Sequence, residues 1–311
     1  MHRYRLRWMA RMVILCTGLT FQVAAAPGCL RPEGISPGPF TKLSTLEGFF
    51  LGRDRCLYDP ASINPDRVPA FQGSRAPKNG PIMFYINGAN GSPTEVSNNI
   101  QELADSSQIT VVGILYYPNN SIDPLKDLLP KTSAGPATDT LQQVINTYLQ
   151  HGEPIHIRAG SAGTVVVSEA IARVKRELTR HGRRPGDRER NQLLDLVRVE
   201  THGTIARDFP DGPRYIHYVN LLDPVPNSLG INTAGAHPGA HAVLALFADR
   251  QTPNEQNLSP EGVAFLSVHG TGAYDPHRKR FNELYGVKSK GFLPARRVNL
   301  EKIDLPSGEG L

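Results

Sequence analysis

The sequence predicts an α/β fold with a mostly parallel central sheet flanked by helices. Three observations carry this expectation. Short apolar runs end abruptly at Asn, Gly or Pro; segments of helical period lie between them; and the two kinds alternate along the chain from residue 81 onward. Strands separated by helices pair in parallel and are covered on both faces.

The elements follow in order. Residues 81–86 (Pro-Ile-Met-Phe-Tyr-Ile) stop at Asn87-Gly88 and read as a buried strand. Residues 94–104 read as a helix with Thr94 as its N-cap. Residues 109–117 form a second strand stopped by Pro118, and 118–137 a loop. Residues 138–150 place Leu141, Val144, Ile145, Tyr148 and Leu149 at helical spacing. A third strand is expected at 154–158, a helix at 164–180, and further strands at 193–201, 215–222 and 263–268. Residues 224–262 then read as an insertion between the last two strands.

Composition narrows the class. The chain has 311 residues, 39% hydrophobic and 20% charged, which suits a globular protein with a sizeable core. Net charge is +5, but Arg3, Arg5, Arg7 and Arg11 supply four of those charges before any acid occurs. The remainder is nearly balanced, so no nucleic-acid surface is implied.

That basic start is followed by an apolar run over 12–23 and by Ala24-Ala25-Ala26, the pattern of a secretory signal peptide over residues 1–25. An uncleaved signal anchor is the alternative; the run is short and broken for a membrane span. The expected location is secreted or periplasmic. Cys16 leaves with such a signal, and Cys29 and Cys56 remain, which suits a disulfide in an oxidising compartment. Lipidation of Cys29, or two free thiols, are the other readings. Residues 26–80 read as a leader packed on the core, 81–275 as the main domain, and 276–311 as a basic surface tail.

The chemistry gathers around residue 161. Ala159-Gly160-Ser161-Ala162-Gly163 lies between a strand and a helix. A serine on such a turn has its hydroxyl pushed outward, and small neighbours let strand and helix approach. Asp223 follows the strand at 215–222, and His269 follows the apolar run at 263–268. An acid and a base are what a serine nucleophile needs. The loop Asn87-Gly88-Ala89-Asn90-Gly91 follows the first strand, where its glycines allow close backbone approach.

In these residues the sequence resembles the α/β-hydrolases, and over roughly residues 81–275 it looks like their class 3 (fungal-type) lipase branch. The matching parts are the elbow 159–163, the strand and small polar stretch at 197–203, the run Val219-Asn-Leu-Leu-Asp223-Pro-Val-Pro226, and His269. Position 160 is Gly where those lipases usually carry His, and no apolar lid helix precedes residue 138. The resemblance implies Ser161 as nucleophile, Asp223 as orienting acid and His269 as base. It implies an oxyanion hole from the N–H of Ala162 and one from the loop at Gly88 or Ala89. Asn87, Asn90 and His202 are expected to line the substrate site. The implied activity is carboxylic ester hydrolysis, lipase-like, on an ester or lipid substrate and without a cofactor or metal.

Other acids and histidines have simpler readings. Asp208 and Asp211 are alternative acids that read more simply as a turn. His217 reads as structural. His237 and His241 are four apart, but Pro238 and Gly239 break the helix that a metal pair would need. Basic stretches at 173–190 and 278–302 read as solvated surface, or as peripheral contact with an anionic membrane. Beside the esterase stand a serine peptidase or thioesterase on the same scaffold, and a non-catalytic binding module.

Overall fold

The computed structural model describes residues 29–30, 43–77, 80–89, 92–117, 135–180, 187–251, 259–285 and 296–300. The signal-peptide expectation, Asn90, most of the loop at 118–137, and the end of the tail lie outside these residues.

An α/β fold is observed, built on one 11-stranded mixed sheet. Its centre is parallel: β5 (Ile82–Ile86), β6 (Thr110–Ile114), β7 (Ile155–Gly160), β8 (Val197–His202), β9 (Arg214–Asn220), β10 (Ala242–Phe247) and β11 (Arg296–Asn299) run in the spatial order β6-β5-β7-β8-β9-β10-β11. On the β6 side the leader adds four two-residue strands. They are β1 (Cys29–Leu30), β2 (Phe50–Leu51), β3 (Leu57–Tyr58) and β4 (Phe71–Gln72), all paired antiparallel. A disulfide joins Cys29 to Cys56 and ties β1 to this edge.

Helices cover both faces. α1 (Pro93–Ser107) starts at a capping box: Ser92 Oγ accepts from the N–H of Glu95, and the Glu95 carboxylate accepts from the N–H of Ser92. Ser92, not Thr94, is therefore the cap, two residues earlier, and Pro93 suits the first turn of the helix. α2 (Pro136–His151) also opens on a proline and ends at Gly152 in the left-handed region. α3 (Gly163–Arg180) follows the elbow, and α4 (Asp187–Leu194) precedes β8. Alternation along β5 divides the core. Phe84 and Ile86 face Leu141, Val144 and Ile145 of α2 and Val167, Ala170 and Ile171 of α3. Met83 and Tyr85 face Val96, Ile100 and Leu103 of α1.

Two expectations are corrected at the C-terminal end. The apolar run at 263–268 is not a strand but part of α5 (Pro260–His269), which Ser259 caps by accepting from the N–H of Gly262. The sixth central strand is β10, inside the segment read as an insertion. Nor do residues beyond 275 leave the fold as a surface tail. α6 (Thr271–Tyr285) crosses position 276 with Pro276 inside it, and β11 extends the sheet. Arg278 on α6 is buried, its guanidinium bonded to Glu200 and to Ser107.

The position of the site follows from this topology. β5 has β6 on one side and β7 on the other, so the winding of the sheet reverses between β5 and β7. The crevice beyond the carboxyl ends of strands at such a reversal is the usual place for a ligand in an open α/β sheet. Asn87-Gly88 leaves β5 there, and Ser161 leaves β7.

Candidate active site

Ser161 is one residue past β7 with φ +47°, a left-handed conformation costly for a side chain with a Cβ. Several contacts hold it there. Its N–H donates to the carbonyl of His202 at 2.9 Å, and its carbonyl accepts from the Thr164 hydroxyl at 2.6 Å. Gly163 is required by space: a Cβ at this position would stand 2.4 Å from the carbonyl oxygen of Asn87. The small residues of the motif thus let α3 begin against the β5 loop.

Asp223 and His269 converge on the serine from the other side. His269 Nε2 is 2.9 Å from Ser161 Oγ, and His269 Nδ1 is 2.7 Å from Asp223 Oδ2. Asp223 is fully buried and His269 nearly so. The carboxylate can only accept, so Nδ1 carries the proton and Nε2 presents its lone pair to the serine hydroxyl. Asp223 Oδ1 accepts from the N–H of Val225 at 2.9 Å, and Oδ2 also accepts from the hydroxyl of Tyr274 at 2.5 Å. Three residues separated by up to 108 positions therefore form one hydrogen-bonded line.

His269 reaches this place from the end of α5 rather than from the end of a strand. Asn220 fixes the approach: its Nδ2 donates to the carbonyls of Val268 and Asp249, while its Oδ1 accepts from the N–H of Leu222. Gly203, with φ +54°, leaves room for the ring, since a Cβ there would stand 2.7 Å from His269 Cε1. Neither Asn220, Gly203 nor Tyr274 was singled out in the sequence. A polar residue closing an apolar strand was the one available signal for Asn220.

The opposite wall is the β5 loop. A Cβ at Gly88 would stand 3.0 Å from Ser161 Cβ, so the loop backbone lies against the serine. Asn87 does not offer its side chain to a substrate. Its Nδ2 donates to the carbonyls of Gly88 and Tyr116, and its Oδ1 accepts from the N–H of Tyr116. By holding the Gly88 carbonyl, Asn87 fixes the plane of the peptide that carries the Ala89 N–H, which points the opposite way in a trans unit. Ala162 lies just before α3, whose first amides have no acceptor within the helix. Ala162, Ile205 and Val225 form a small apolar cluster, with Ala89, Tyr116 and Val165 packed against it.

His202 takes a different place from the one expected. Its ring is buried behind the elbow, against Gly160 and 5.5 Å from the ring of Tyr274. Burial, reinforced by the nearby Arg158 charge, holds its imidazole well below the usual histidine range, so it is neutral. The rival acids are elsewhere: Asp211 accepts from His237 Nε2 and from the N–H of Ala240 in an exposed turn. His217 is buried, bonded to Thr201 and to the Pro238 carbonyl.

Exposed large apolar side chains lie in the chain segments that carry Asp223 and His269. Leu221 and Leu222 directly precede Asp223, Leu229 closes the turn after it, and Val263 and Phe265 lie on α5 ahead of His269. The Phe265 ring stands 4.6 Å from that of His269. Several basic side chains at the start of the first basic stretch, by contrast, are paired. Arg173 meets Glu169 and Asp139, Arg176 meets Glu169, and Lys175 donates to the Asp211 carbonyl.

The chain matches no protein-family model and no curated protein sequence.

Proposed function

We propose that the protein is an exported serine hydrolase of α/β-hydrolase type that cleaves a carboxylic ester by acyl transfer. The observation that carries this reading is the line Ser161 Oγ, His269 Nε2, His269 Nδ1, Asp223 Oδ2, with contacts of 2.9 and 2.7 Å, at the reversal point of the sheet. In the proposed reaction the Ser161 oxygen attacks the ester carbonyl as its proton passes to His269 Nε2. Asp223 holds the imidazole in the required tautomer and stabilises the imidazolium. The backbone N–H groups of Ala162 and Ala89, on either side of the serine, are the donors assigned to the oxyanion. His269 then protonates the leaving alcohol, and water deacylates the enzyme through the same base.

An apolar acyl group is favoured by Phe265, exposed and 4.6 Å from the His269 ring, and by the exposed Leu221, Leu222, Leu229 and Val263 side chains on the segments that carry Asp223 and His269. This supports an ester or lipid substrate over a peptide. The Cys29–Cys56 disulfide supports an oxidising compartment. Contact with an anionic membrane draws less support, because several of the basic side chains named for it are paired or buried.

The test is labelling of the purified protein by a fluorophosphonate probe, beside Ser161→Ala. Labelling that vanishes in the variant, with turnover of p-nitrophenyl esters and not of matched anilides, is the expected result. A folded protein that takes no label would replace this reading with that of a binding module.

A further inference from the structure

We propose that Tyr274 is a positioning residue of this site, setting through Asp223 how strongly the acid draws on His269. The inference rests on reading Ser161, His269 and Asp223 as a catalytic triad. Its geometry is specific. The Tyr274 hydroxyl and the His269 Nδ1 proton share one acceptor, Asp223 Oδ2, at 2.5 and 2.7 Å. Tyr274 is fully buried, its ring 5.3 Å from that of Phe247 and 5.5 Å from that of His202. It cannot touch a substrate; it acts through the acid.

Tyr274 is held by α6, which starts two residues after His269. That helix is pinned to the sheet on several sides. Asp275 pairs with Arg158 of β7, Arg278 with Glu200 of β8, and His277 with Asp249 past β10. The phenol therefore has little freedom to leave the carboxylate. Nor does it ionise: burial, and then the charge of Asp223, push it well above the usual tyrosine range. It is a permanent donor. The other titratable or charged groups near this region are His202 from the end of β8, which is neutral, and the Arg158–Asp275 and Arg278–Glu200 pairs that tie α6 to β7 and β8. The His277–Asp249 pair borders Phe247.

A donor on Oδ2 withdraws electron density from the atom that supports the imidazolium. Without it the carboxylate accepts more strongly from His269, protonated imidazole is favoured, and the acidic limb of the rate profile moves to higher pH. The carboxylate also loses one of the bonds that fix its plane.

The experiment is the pH dependence of fluorophosphonate labelling of the full mature chain. It compares wild type, Tyr274→Phe, and protein with 3-fluorotyrosine at position 274, a stronger donor of nearly the same shape. Tyr274→Phe is expected to label about tenfold more slowly, the scale of one hydrogen bond to a charged group. Its acidic limb is expected about half a pH unit higher, and that of the fluorotyrosine protein lower. A folded Tyr274→Phe protein with an unmoved limb, whether or not it is slower, overturns the positioning role. So does a fluorotyrosine protein whose limb moves upward. Wild type that takes no label overturns the hydrolase reading instead, and the positioning role with it.

Discussion

The imidazole of His202 fills the space that a side chain at Gly160 would need. The two residues are register partners on β8 and β7, and a Cβ at 160 would lie 2.4 Å from His202 Nε2. The absent side chain of one strand and the large ring of the next are therefore one packing decision. Gly160→Ala should cost about 2 kcal/mol by overpacking. His202→Ala should cost about as much through the cavity it leaves. The double variant should be more stable than the sum of the two losses allows, by about 1 kcal/mol or more. Urea unfolding of the four proteins measures this, and strict additivity would show that the contact is not shared.

The assignment of the acid can be tested apart from that of the nucleophile. Asp223 is buried and bonded to His269, whereas Asp211 serves an exposed turn with His237. Asp223→Asn should slow Ser161 labelling by about 10⁴-fold, because an amide there favours the wrong histidine tautomer. Asp208→Asn and Asp211→Asn should label at close to the wild-type rate. Inactivation by either of these, with Asp223→Asn unaffected, would move the acid to the β8–β9 connection.

How far the sequence could be read depended on the kind of signal each segment carried. β5, α2, β7 and α3 were legible because apolar runs or helical periods ended at strong breakers such as Asn87 or Gly152. That Ser161, Asp223 and His269 meet was legible from their order and from the small residues at 159–163. The C-terminal third was not. Val263 to Val268 is a short apolar run, and periodicity cannot separate a strand from part of a buried helix at that length. The better signal was Ser259-Pro260-Glu261, a cap with proline in the first turn. A strand at 263–268 leaves Ala242 to Phe247 no place but an insertion, whereas it is β10. The basic composition beyond 275 reads as a surface tail, yet α6 continues through Pro276 and carries Tyr274 and Arg278 onto the sheet. Those contacts join residues far apart in the chain, which no local pattern encodes.

Acid should weaken the protein through buried histidines. His217 is fully buried, and burial pushes its imidazole down from 6.5 to about 4. Its Nε2 proton donates to the Pro238 carbonyl, so Nδ1 accepts from the Thr201 hydroxyl, and the neutral ring is satisfied on both sides. The unfolded chain takes up a proton below about pH 6.5, while the folded one does not until about pH 4. The stability contributed is therefore fully present above the unfolded value and is lost as pH falls through that window. Its full size is about 3 kcal/mol. His202, shifted in the same direction, adds to the slope. His217→Gln should flatten stability against pH between 4 and 6.5, as measured by denaturant midpoints. An unchanged slope would assign the acid sensitivity elsewhere.

The buried ion pair between α6 and β8 should tie stability to activity. Glu200 and Arg278 are both nearly inaccessible, and two guanidinium nitrogens meet the two carboxylate oxygens while the third reaches Ser107 of α1. Burial opposes ionisation of Glu200, but Arg278 and His156 outweigh it and hold the carboxyl well below its usual range. Arg278→Met leaves that carboxylate buried with only the His156 contact and should cost about 3–5 kcal/mol. Adding Glu200→Gln removes the stranded charge and should restore much of the loss, because an absent pair costs less than a broken one. Glu200 contributes its stability above about pH 4.5 and loses it as pH falls through the depressed native value, so Arg278→Met should be closest to wild type in acid. Arg278 also anchors the helix that carries Tyr274. The single variant should therefore slow Ser161 labelling even where it remains folded, and the double variant should recover stability more fully than labelling rate. Equal recovery of both would show that α6 needs only to be present, not held in this register.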